Sequence, residues 1–161
     1  MYKRISIIGA GTWGVAIASH LSHKVDVELF HYNHEKLKKI EKSRVQPNIS
    51  NFKIPDTISF SYTDNVISDL CIIAVPVQNI LSVLSKIKVR KKTPILILSK
   101  GIENKTLKLP LDLISECGVN IEDIAILSGP SHAEQVIVKT PTSVVIASKN
   151  ENLSRALQSL F

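Results

Sequence analysis

Residues Ile5–Gly14 read ISIIGAGTWG, a short apolar run followed by three glycines with the spacing G-x-G-x-x-G. The next segment, Val15–Leu21, is helix-like. The predicted order is therefore strand, tight turn and helix, which is the context in which this glycine pattern has a physical meaning. Without that context the pattern is weak, because glycine-rich turns also close ordinary loops.

Each of the three glycines has a task in such a turn. Gly9 permits the tight turn, Gly11 lets a pyrophosphate approach the backbone, and Gly14 lets the helix pack closely on the sheet. The free N–H groups and the positive end of the helix dipole then face the phosphates. The sequence therefore predicts a dinucleotide-binding turn at its N-terminal end.

Length and composition fit one domain with a hydrophobic core: 161 residues, 44% of them hydrophobic. The longest apolar runs, such as Cys71–Val75 and Ile95–Leu98, are far too short to cross a bilayer, and no secretion leader opens the sequence. Cys71 and Cys117 have no metal-type spacing, and we expect both to be reduced packing residues. These features predict a cytoplasmic protein without membrane insertion and without a metal site.

The net charge of +6 is spread through the chain, with lysines across Lys36–Lys42 and a basic loop at Arg90–Lys92. A basic balance suits nucleic acid, but it suits a phosphorylated cofactor and a phosphorylated substrate equally well. Only 5% of the residues are aromatic, and none alternate with the basic residues as stacking platforms for bases. We therefore expect small-molecule partners and no nucleic acid, with most lysines on solvated faces.

Continuous apolar runs alternate with helix-like segments, which predicts an α/β fold: a doubly wound, mainly parallel Rossmann-type sheet with helices on both faces and right-handed crossovers. The segment Ser43–Ser61 is rich in Pro and Asn and is predicted to be an ordered excursion over the surface. Strands are predicted near Arg4–Ile8, Val25–Phe30, Leu70–Val75, Pro94–Ser99, Ile124–Ser128 and Ser143–Ala147. Helices are predicted at Thr12–Ser22, His34–Lys42, Val77–Ile87, Leu109–Cys117 and Ser131–Lys139, with another from Glu151.

Residues 152–161 have the apolar spacing of an amphipathic helix that no glycine or proline closes. We therefore expect residues 1–161 to be one dinucleotide-binding domain from which a second domain has been cut or is missing. Truncation would expose an apolar face, and the chain alone is expected to self-associate or to be poorly soluble. The side chains predicted to form that face are Leu153, Leu157, Leu160 and Phe161.

The residues after the second predicted strand affect the choice of cofactor. An NAD-selective fold places an Asp or Glu there to bind the adenine ribose hydroxyls, but the sequence after Phe30 begins with His31 and Tyr32. With His31, His34 and Lys36 nearby, the 2′-phosphate of NADP is slightly favoured over NAD. Alternatively these are ordinary exposed loop residues, and a metal site there has no third ligand.

Three more strand ends carry candidates, because ligands of open α/β sheets bind beyond the carboxyl ends of the strands. Pro76 stiffens a turn that borders the cofactor, and Lys100, with Gly101 behind it, can reach an oxyanion or a phosphate. The turn Ser128–Ser131 ends in a serine that can cap the next helix and aim backbone donors at an anion. The simpler alternatives are a loop proline, a solvated lysine and a helix cap.

These motifs follow one another in a recognisable order: GAGTWG (9–14), AVP (74–76), SKGIE (99–103), SGPS-x-A (128–133) and PTS (141–143). In order and spacing they resemble the N-terminal cofactor domain of NAD(P)-dependent glycerol-3-phosphate dehydrogenase. The resemblance covers essentially all 161 residues. Its Lys-Gly and Ser-Gly-Pro elements are more specific than the glycine pattern.

The resemblance implies reversible hydride transfer between the nicotinamide and C2 of dihydroxyacetone phosphate, which gives sn-glycerol 3-phosphate for phospholipid synthesis. Lys100 is then an auxiliary catalytic residue that helps to polarise the reacting oxygen. The principal acid/base lysine of the family lies in a helical C-terminal domain, which this sequence lacks.

The resemblance also assigns contacts by position. The substrate would be bound by Lys100, Gly129 and Ser131. The predicted cofactor contacts include the residues of the glycine turn and of the strand ends. They are Gly9, Gly11, Thr12, Trp13, Gly14, His31, Tyr32, Pro76, Lys100 and Ala133.

Some positions depart from the family pattern. Tyr32 stands where a basic residue is frequent, His132 stands at a position that is usually aromatic and apolar, and Val45–Asn51 matches poorly. Two other functions are therefore considered. One is a catalytically inactive dinucleotide-binding or sensing module, and the other is a different β-hydroxyacid-type dehydrogenase, against which the Lys-Gly and Ser-Gly-Pro motifs argue.

Overall fold

A β-sheet with helices on both faces forms the centre of the structure, a computed structural model that describes residues 2–161. Within these residues the strands are β1 (Arg4–Ile8), β2 (Asp26–Phe30), β3 (Ser59–Ser61), β4 (Asn65–Val66), β5 (Leu70–Ile73), β6 (Lys88–Val89), β7 (Ile95–Ile97), β8 (Ile124–Ser128) and β9 (Val145–Ser148). The helices are α1 (Thr12–Leu21), α2 (His34–Ser43), α3 (Ile80–Leu84), α4 (Pro110–Glu116), α5 (Ala133–Ile137) and α6 (Glu151–Leu160).

The order of the strands defines a doubly wound sheet. Seven strands follow the order β3-β2-β1-β5-β7-β8-β9, and β4 pairs with β6 in a separate two-stranded sheet. From β3 to β8 all neighbours are parallel, and the chain moves outward in opposite directions from β1. The predicted α/β class with a mainly parallel Rossmann-type sheet is confirmed.

The last strand, β9, runs antiparallel to β8, which is compatible with a sheet that is mainly parallel. The helix between the two strands, α5, has only 5 residues and therefore rises only about 7.5 Å. The 5 residues of β8 span about 16 Å. The chain does not return to the opposite end of the sheet, and β9 starts at the near end, where Val145 pairs with Ser128.

Two hydrophobic clusters pack against opposite faces of the sheet. Ile7 belongs to the cluster covered by α1, α2 and α6, and its neighbour Ile8 belongs to the cluster covered by α3 and α4. β1, β2 and β5 are buried along almost their whole length. Burial on both faces explains the continuous apolar run of β5. β2, with the sequence DVELF, alternates polar and apolar residues, so the prediction of runs without alternation is wrong for this strand.

The segment 43–61 contributes to the core, so its prediction as a surface excursion is wrong in this respect. The guanidinium group of Arg44 donates hydrogen bonds to the carbonyl oxygens of Pro55 and Ile58, at 3.3 and 2.8 Å. β3 then ends the segment by pairing with β2. Isolated isoleucines without a regular period gave no sequence signal for this packing; those that are buried are Ile49, Ile54 and Ile58.

The apolar face of α6 is buried, so the predicted exposed C-terminal face is wrong. Leu153, Leu157 and Leu160 are 7%, 0% and 8% exposed, and Phe161 is partly buried against the same cluster. The ammonium group of Lys24 donates a hydrogen bond to the carbonyl oxygen of Leu160 at 2.9 Å. α6 packs on β9 and on the hydrophobic cluster that α1 and α2 also cover. The physical reason given for self-association is thereby removed.

Short elements account for the other differences from the predicted boundaries. The helix predicted over Val77–Ile87 begins as a 3-10 turn at Val77–Asn79 and continues only as α3. β4 and β6 have two residues each, which is too short for a recognisable strand pattern. A further 3-10 turn at Ile121–Asp123 precedes β8.

The two cysteines are free but lie in different environments. Cys71 is fully buried in β5, and burial raises the pKa of its thiol to about 12. Cys117 is exposed, so its prediction as a packing residue is wrong; it follows the last turn of α4, beyond the buried Leu113 and Ile114. In residues 2–161 no helix has the length and apolar character to span a bilayer, and no cluster of His, Cys, Asp and Glu could hold a metal ion.

Candidate functional site

A cavity of about 490 Å³ opens at the carboxyl ends of β1, β5, β7 and β8. Its lining comes from four loops, Gly11–Trp13, Ala74–Pro76, Leu98–Lys100 and Ser131–Glu134. β1 and β5 are neighbours at the point where the chain reverses its direction of winding, which is where open α/β sheets bind ligands. The structure thus brings together the four loops that the sequence singles out.

The glycine turn has the tight geometry that its spacing predicts. Gly9 has φ of +123°, and a Cβ atom there would stand 2.7 Å from the carbonyl oxygen of Ala74. A Cβ atom on Gly14 would stand only 1.8 Å from the carbonyl oxygen of Gly9. Gly9 therefore makes the turn, and Gly14 lets α1 pack directly against it.

Gly11, in contrast, faces open space. A Cβ atom there would meet no atom within 4 Å. Gly11 is also the N-cap of α1, where no side chain caps the helix and the first turn has no acidic residue. The first turn of α1 therefore offers backbone N–H groups and the positive end of its dipole to an anion.

Lys100 reaches from the loop after β7 to the loop after β8. Its Nζ donates hydrogen bonds to the carbonyl oxygen of Gly129 at 3.0 Å and to the hydroxyl of Ser131 at 3.3 Å. The same Nζ lies 5.9 Å from the centroid of the Trp13 ring, within range of cation–π attraction. A lysine ammonium has three N–H donors, so one remains for a ligand while two hold the side chain in place.

Ser131 is buried beside Lys100 and does not cap α5. The N-cap of α5 is His132, and no side chain caps that helix, so the simple capping alternative is wrong. The turn before Ser131 requires a glycine, because Gly129 has φ of +152° and a Cβ atom there would stand 2.9 Å from the carbonyl oxygen of Ser143. The backbone of this turn thus presents the Gly129 carbonyl to Lys100.

Gln78 connects the loop after β5 to the chain that follows Lys100. Its side-chain amide donates a hydrogen bond to the carbonyl oxygen of Ile102 at 2.9 Å and accepts one from the backbone N–H of Asn104 at 3.0 Å. Gly101, with φ of +98°, makes the intervening turn. Gln78 is a positioning residue that sequence reasoning missed, since nothing in the sequence relates it to residues 102–104.

His31 and Tyr32 follow β2 and do not line the cavity, although they lie at the same edge of the sheet. Their rings stack with centroids 4.7 Å apart. The Nδ1 atom of His31 accepts a hydrogen bond from the backbone N–H of Asn33, so Nε2 carries the proton of the neutral ring. Burial, together with the charge of Lys36, lowers the pKa of His31. At neutral pH His31 is therefore a hydrogen-bond donor without positive charge.

The acids nearest to this position in the sequence are engaged elsewhere or lie on the helix. Glu28 is buried in β2, where Arg4 and Ser6 donate hydrogen bonds to its carboxylate. Glu35 lies in the first turn of α2. The end of β2 thus lacks the acid that is typical of an NAD-selective site.

The predicted site residues fall into four groups. Gly9 and Gly14 form the turn itself, and Gly129 contributes its carbonyl oxygen to Lys100. His31 and Tyr32 form a separate stacked pair. The residues that line the cavity together are Gly11, Thr12, Trp13, Pro76, Lys100, Ser131 and Ala133.

Trp13 separates this cavity from a larger one. The second cavity, of about 810 Å³, is bordered by α1, residues 136–144 and α6, and Trp13 also lines it. The indole Nε1 of Trp13 is buried without a hydrogen-bond partner in the described part of the chain. An unsatisfied buried donor costs about 1–3 kcal/mol.

The fold and the cavity define a class of protein. A parallel sheet whose order reverses beside a G-x-G-x-x-G turn, with an uncapped helix N-terminus at that point, is the Rossmann-type dinucleotide-binding domain. Comparison with known sequences gives the family. The family model described as "NAD-dependent glycerol-3-phosphate dehydrogenase N-terminus" matches residues 4–154, and the chain belongs to this family.

Relatives and solved structures agree with this assignment. The chain is 38% identical over 160 residues to glycerol-3-phosphate dehydrogenase [NAD(P)+] of Wolbachia pipientis wMel, covering 96% of this chain and 49% of that protein. It is 33% identical to the enzyme of the same name from Geobacillus kaustophilus, covering 99% and 48%. The crystal structure of glycerol-3-phosphate dehydrogenase from Coxiella burnetii superposes with a TM-score of 0.87 at 27% identity, covering 98% and 50%. The chain thus spans about half the length of the curated relatives that it matches.

Proposed function

We propose that this chain is the cofactor-binding half of an NAD(P)H-dependent enzyme that interconverts dihydroxyacetone phosphate and sn-glycerol 3-phosphate. One observation carries the proposal: the open N-terminus of α1 faces the same cavity as Lys100 and Ser131, and Lys100 is anchored on the Gly129 carbonyl oxygen. The first suits a pyrophosphate and the second suits a small oxyanion. The relatives' name supplies the substrate pair.

The residues around the cavity fit a dinucleotide. The open space in front of Gly11 leaves room for a pyrophosphate at the helix N-terminus, where the backbone N–H groups of the first turn are its donors. Thr12 and Trp13 lie on the same turn, and Pro76 borders it from the end of β5. The cofactor contacts are assigned to the glycine turn, the cavity lining and the end of β2, namely Gly9, Gly11, Thr12, Trp13, Gly14, His31, Tyr32, Pro76, Lys100 and Ala133.

Substrate binding is assigned to Lys100, Gly129 and Ser131. NAD(P)H supplies the hydride when it is bound. The ammonium group of Lys100 stabilises the negative charge that develops on the C2 oxygen of the substrate, and the Ser131 hydroxyl and the Gly129 carbonyl hold that group in place. The principal acid/base lysine is assigned to a helical domain outside residues 1–161, because the relatives are about twice as long as this chain.

The proposal also includes a preference for NADP over NAD, a small phosphorylated molecule as the partner and a cytoplasmic location. The preference is supported by the absence of an acid directly at the end of β2, where His31 and Tyr32 stand, since Glu28 is buried and hydrogen-bonded inside the strand and Glu35 lies on α2. The location is supported by two free cysteines, of which Cys71 is buried. No role is assigned to nucleic acid.

The sequence has a single tryptophan, Trp13, and it lines the cavity. A titration of its fluorescence with NADH and with NADPH therefore tests the proposal directly. Saturable quenching by either cofactor is expected, with NADPH binding the tighter of the two. The matched control is Gly11→Val, which fills the space in front of the helix and should bind neither.

A second step tests the chemistry. Turnover of dihydroxyacetone phosphate is measured in the protein that contains this chain together with the remaining half of the family's length. Cofactor binding without any turnover there would favour a dinucleotide-binding or sensing module. Absence of cofactor binding by the folded chain would contradict the proposal.

A further inference from the structure

A lysine from a distant part of the chain lies over the end of β2. The Nζ atom of Lys86, which follows α3, is 5.8 Å from the centroid of the Tyr32 ring. Both residues are exposed, Tyr32 by 52% of its surface. Tyr32 also stacks on His31, with 23° between the ring planes. An exposed aromatic ring and a cation thus lie together at the carboxyl end of β2, the strand that follows the glycine turn and α1.

Other charges around this pair leave it basic. Lys36 lies in the first turn of α2, where its backbone N–H donates a hydrogen bond to the side chain of Asn33 at 3.0 Å. The positive charge of Lys36 helps to lower the pKa of His31. Glu35 is the acid in that turn. None of the ion pairs among residues 2–161 involves Lys86 or Lys36. The two ammonium groups therefore have no carboxylate partner to displace before they meet an anion.

We infer that Lys86 is a specificity-determining residue of the cofactor site, which binds the 2′-phosphate of NADPH beside a Tyr32 ring that stacks on the adenine. The inference rests on the proposed function and deepens it. It also explains how Tyr32 can stand where a basic residue is frequent, because the positive charge comes from the end of α3 and not from the end of β2. A lysine suits this role, since its flexible stem lets the ammonium group move from the ring to a phosphate oxygen.

The competing explanation is a surface cation–π contact without a ligand. Such a contact requires only that Lys86 and Tyr32 touch, and it makes no distinction between cofactors. The two explanations differ in whether the loss of the Lys86 charge depends on a 2′-phosphate in the ligand. The experiment is therefore built on pairs of ligands that differ in this phosphate alone.

The affinities of NADPH and NADH, and of 2′,5′-ADP and 5′-AMP, are measured for the intact chain and for Lys86→Gln. We expect Lys86→Gln to weaken NADPH and 2′,5′-ADP at least about tenfold and to change NADH and 5′-AMP by less than about twofold. Lys86→Arg should keep the preference for the 2′-phosphate. Lys91→Gln, which removes the same charge from an exposed loop, should leave all four affinities within about twofold.

Each other outcome contradicts a different statement. If Lys86→Gln weakens both members of a pair equally, or neither, Lys86 does not bind the 2′-phosphate. The same conclusion follows if Lys91→Gln has the effect of Lys86→Gln, because affinity for the phosphate would then depend only on the net charge of the protein. If the folded, unmodified chain binds none of the four ligands, the proposed cofactor site itself is wrong, and the assignment of Lys86 is wrong with it. Circular dichroism of each variant establishes that it is folded.

Discussion

The ammonium group of Lys100 lies 3.0 Å from the carbonyl oxygen of Gly129, and this contact joins the ends of β7 and β8 across the cavity. Neither Gly129 nor Ser131, its other partner, carries a full charge. A charged oxygen of a ligand competes well for the same donors, since hydrogen bonds between two charged groups are stronger than those to a neutral oxygen. The contact thus holds Lys100 in place and leaves its ammonium group able to bind a charged ligand oxygen.

Replacing Lys100 by Met keeps most of the side-chain stem and removes the charge. We expect kcat/KM for dihydroxyacetone phosphate to fall about 100-fold or more in an active enzyme that contains this chain. The Kd for NADH should change by less than about tenfold, because the helix N-terminus and the rest of the cavity remain. Equal losses in the two measurements would make Lys100 a cofactor contact only. Lys105→Met, in the loop that follows, is the matched control and should change neither.

The open space at Gly11 predicts a variant that folds but does not bind. Because a Cβ atom there meets no protein atom within 4 Å, Gly11→Ala should cost at most about 1 kcal/mol of unfolding free energy, as expected for an alanine at an N-cap. Cofactor affinity should fall by at least about tenfold, since the methyl group occupies the space that a pyrophosphate needs. Urea unfolding and the Trp13 fluorescence titration measure the two quantities. Unchanged affinity would mean that the phosphates bind elsewhere.

Gly14, unlike Gly11, is a glycine that the packing of α1 against the turn requires. A Cβ atom there would lie 1.8 Å from the carbonyl oxygen of Gly9, so Gly14→Ala requires α1 to move away from the turn. We expect a loss of about 3 kcal/mol or more in urea unfolding. If Gly14→Ala were as stable as Gly11→Ala, the close approach of α1 to the turn would be wrong.

The local part of the site could be predicted from the sequence, because glycine spacing and strand ends are local features. The four loops of the cavity follow from placing G-x-G-x-x-G, Pro76, Lys100 and Ser131 at the ends of buried strands, and parallel strands bring those ends to one edge. The fold class follows in the same way from apolar runs such as Leu70–Ile73 that alternate with helix-like segments.

Contacts between distant parts of the chain could not be predicted. Gln78 contacts Asn104, and Lys86 contacts Tyr32, because the folded sheet brings these parts of the chain together. The burial of α6 cannot be predicted from the sequence for a related reason. Its apolar face is visible in the sequence, but an amphipathic pattern does not say whether the surface it covers belongs to the same domain. The antiparallel direction of β9 is likewise a tertiary feature, which no local pattern of the sequence specifies.

The titration of His31 tests the geometry at the end of β2. Burial and the charge of Lys36 lower the pKa of His31, so its ring should titrate below the usual value of about 6.5 when followed by NMR. Lys36→Ala should raise that pKa, whereas Lys42→Ala, at the other end of α2, should not. A His31 ring that titrates at or above the usual value would contradict the described burial.

The same shift has a consequence for stability. Because the folded state lowers the pKa, the unfolded chain takes up the proton first as the pH falls. The contribution of neutral His31 to the unfolding free energy is therefore present above the unfolded pKa and is lost as the pH falls through the folded one. His31→Asn should remove this part of the acid destabilisation, which urea unfolding at a series of pH values between 7 and 5 would detect.

The burial of α6 gives the last prediction. Leu157 is fully buried against the cluster that includes α1, so Leu157→Ala should lower the unfolding free energy by about 2–5 kcal/mol. Arg155→Ala breaks an exposed ion pair with Glu151 on the same helix and should cost at most about 0.5 kcal/mol. Urea unfolding of the two variants distinguishes a helix that belongs to the core of this domain from one that waits for another surface. Equal and small losses would indicate the second and would restore the expectation that the apolar face of α6 drives self-association.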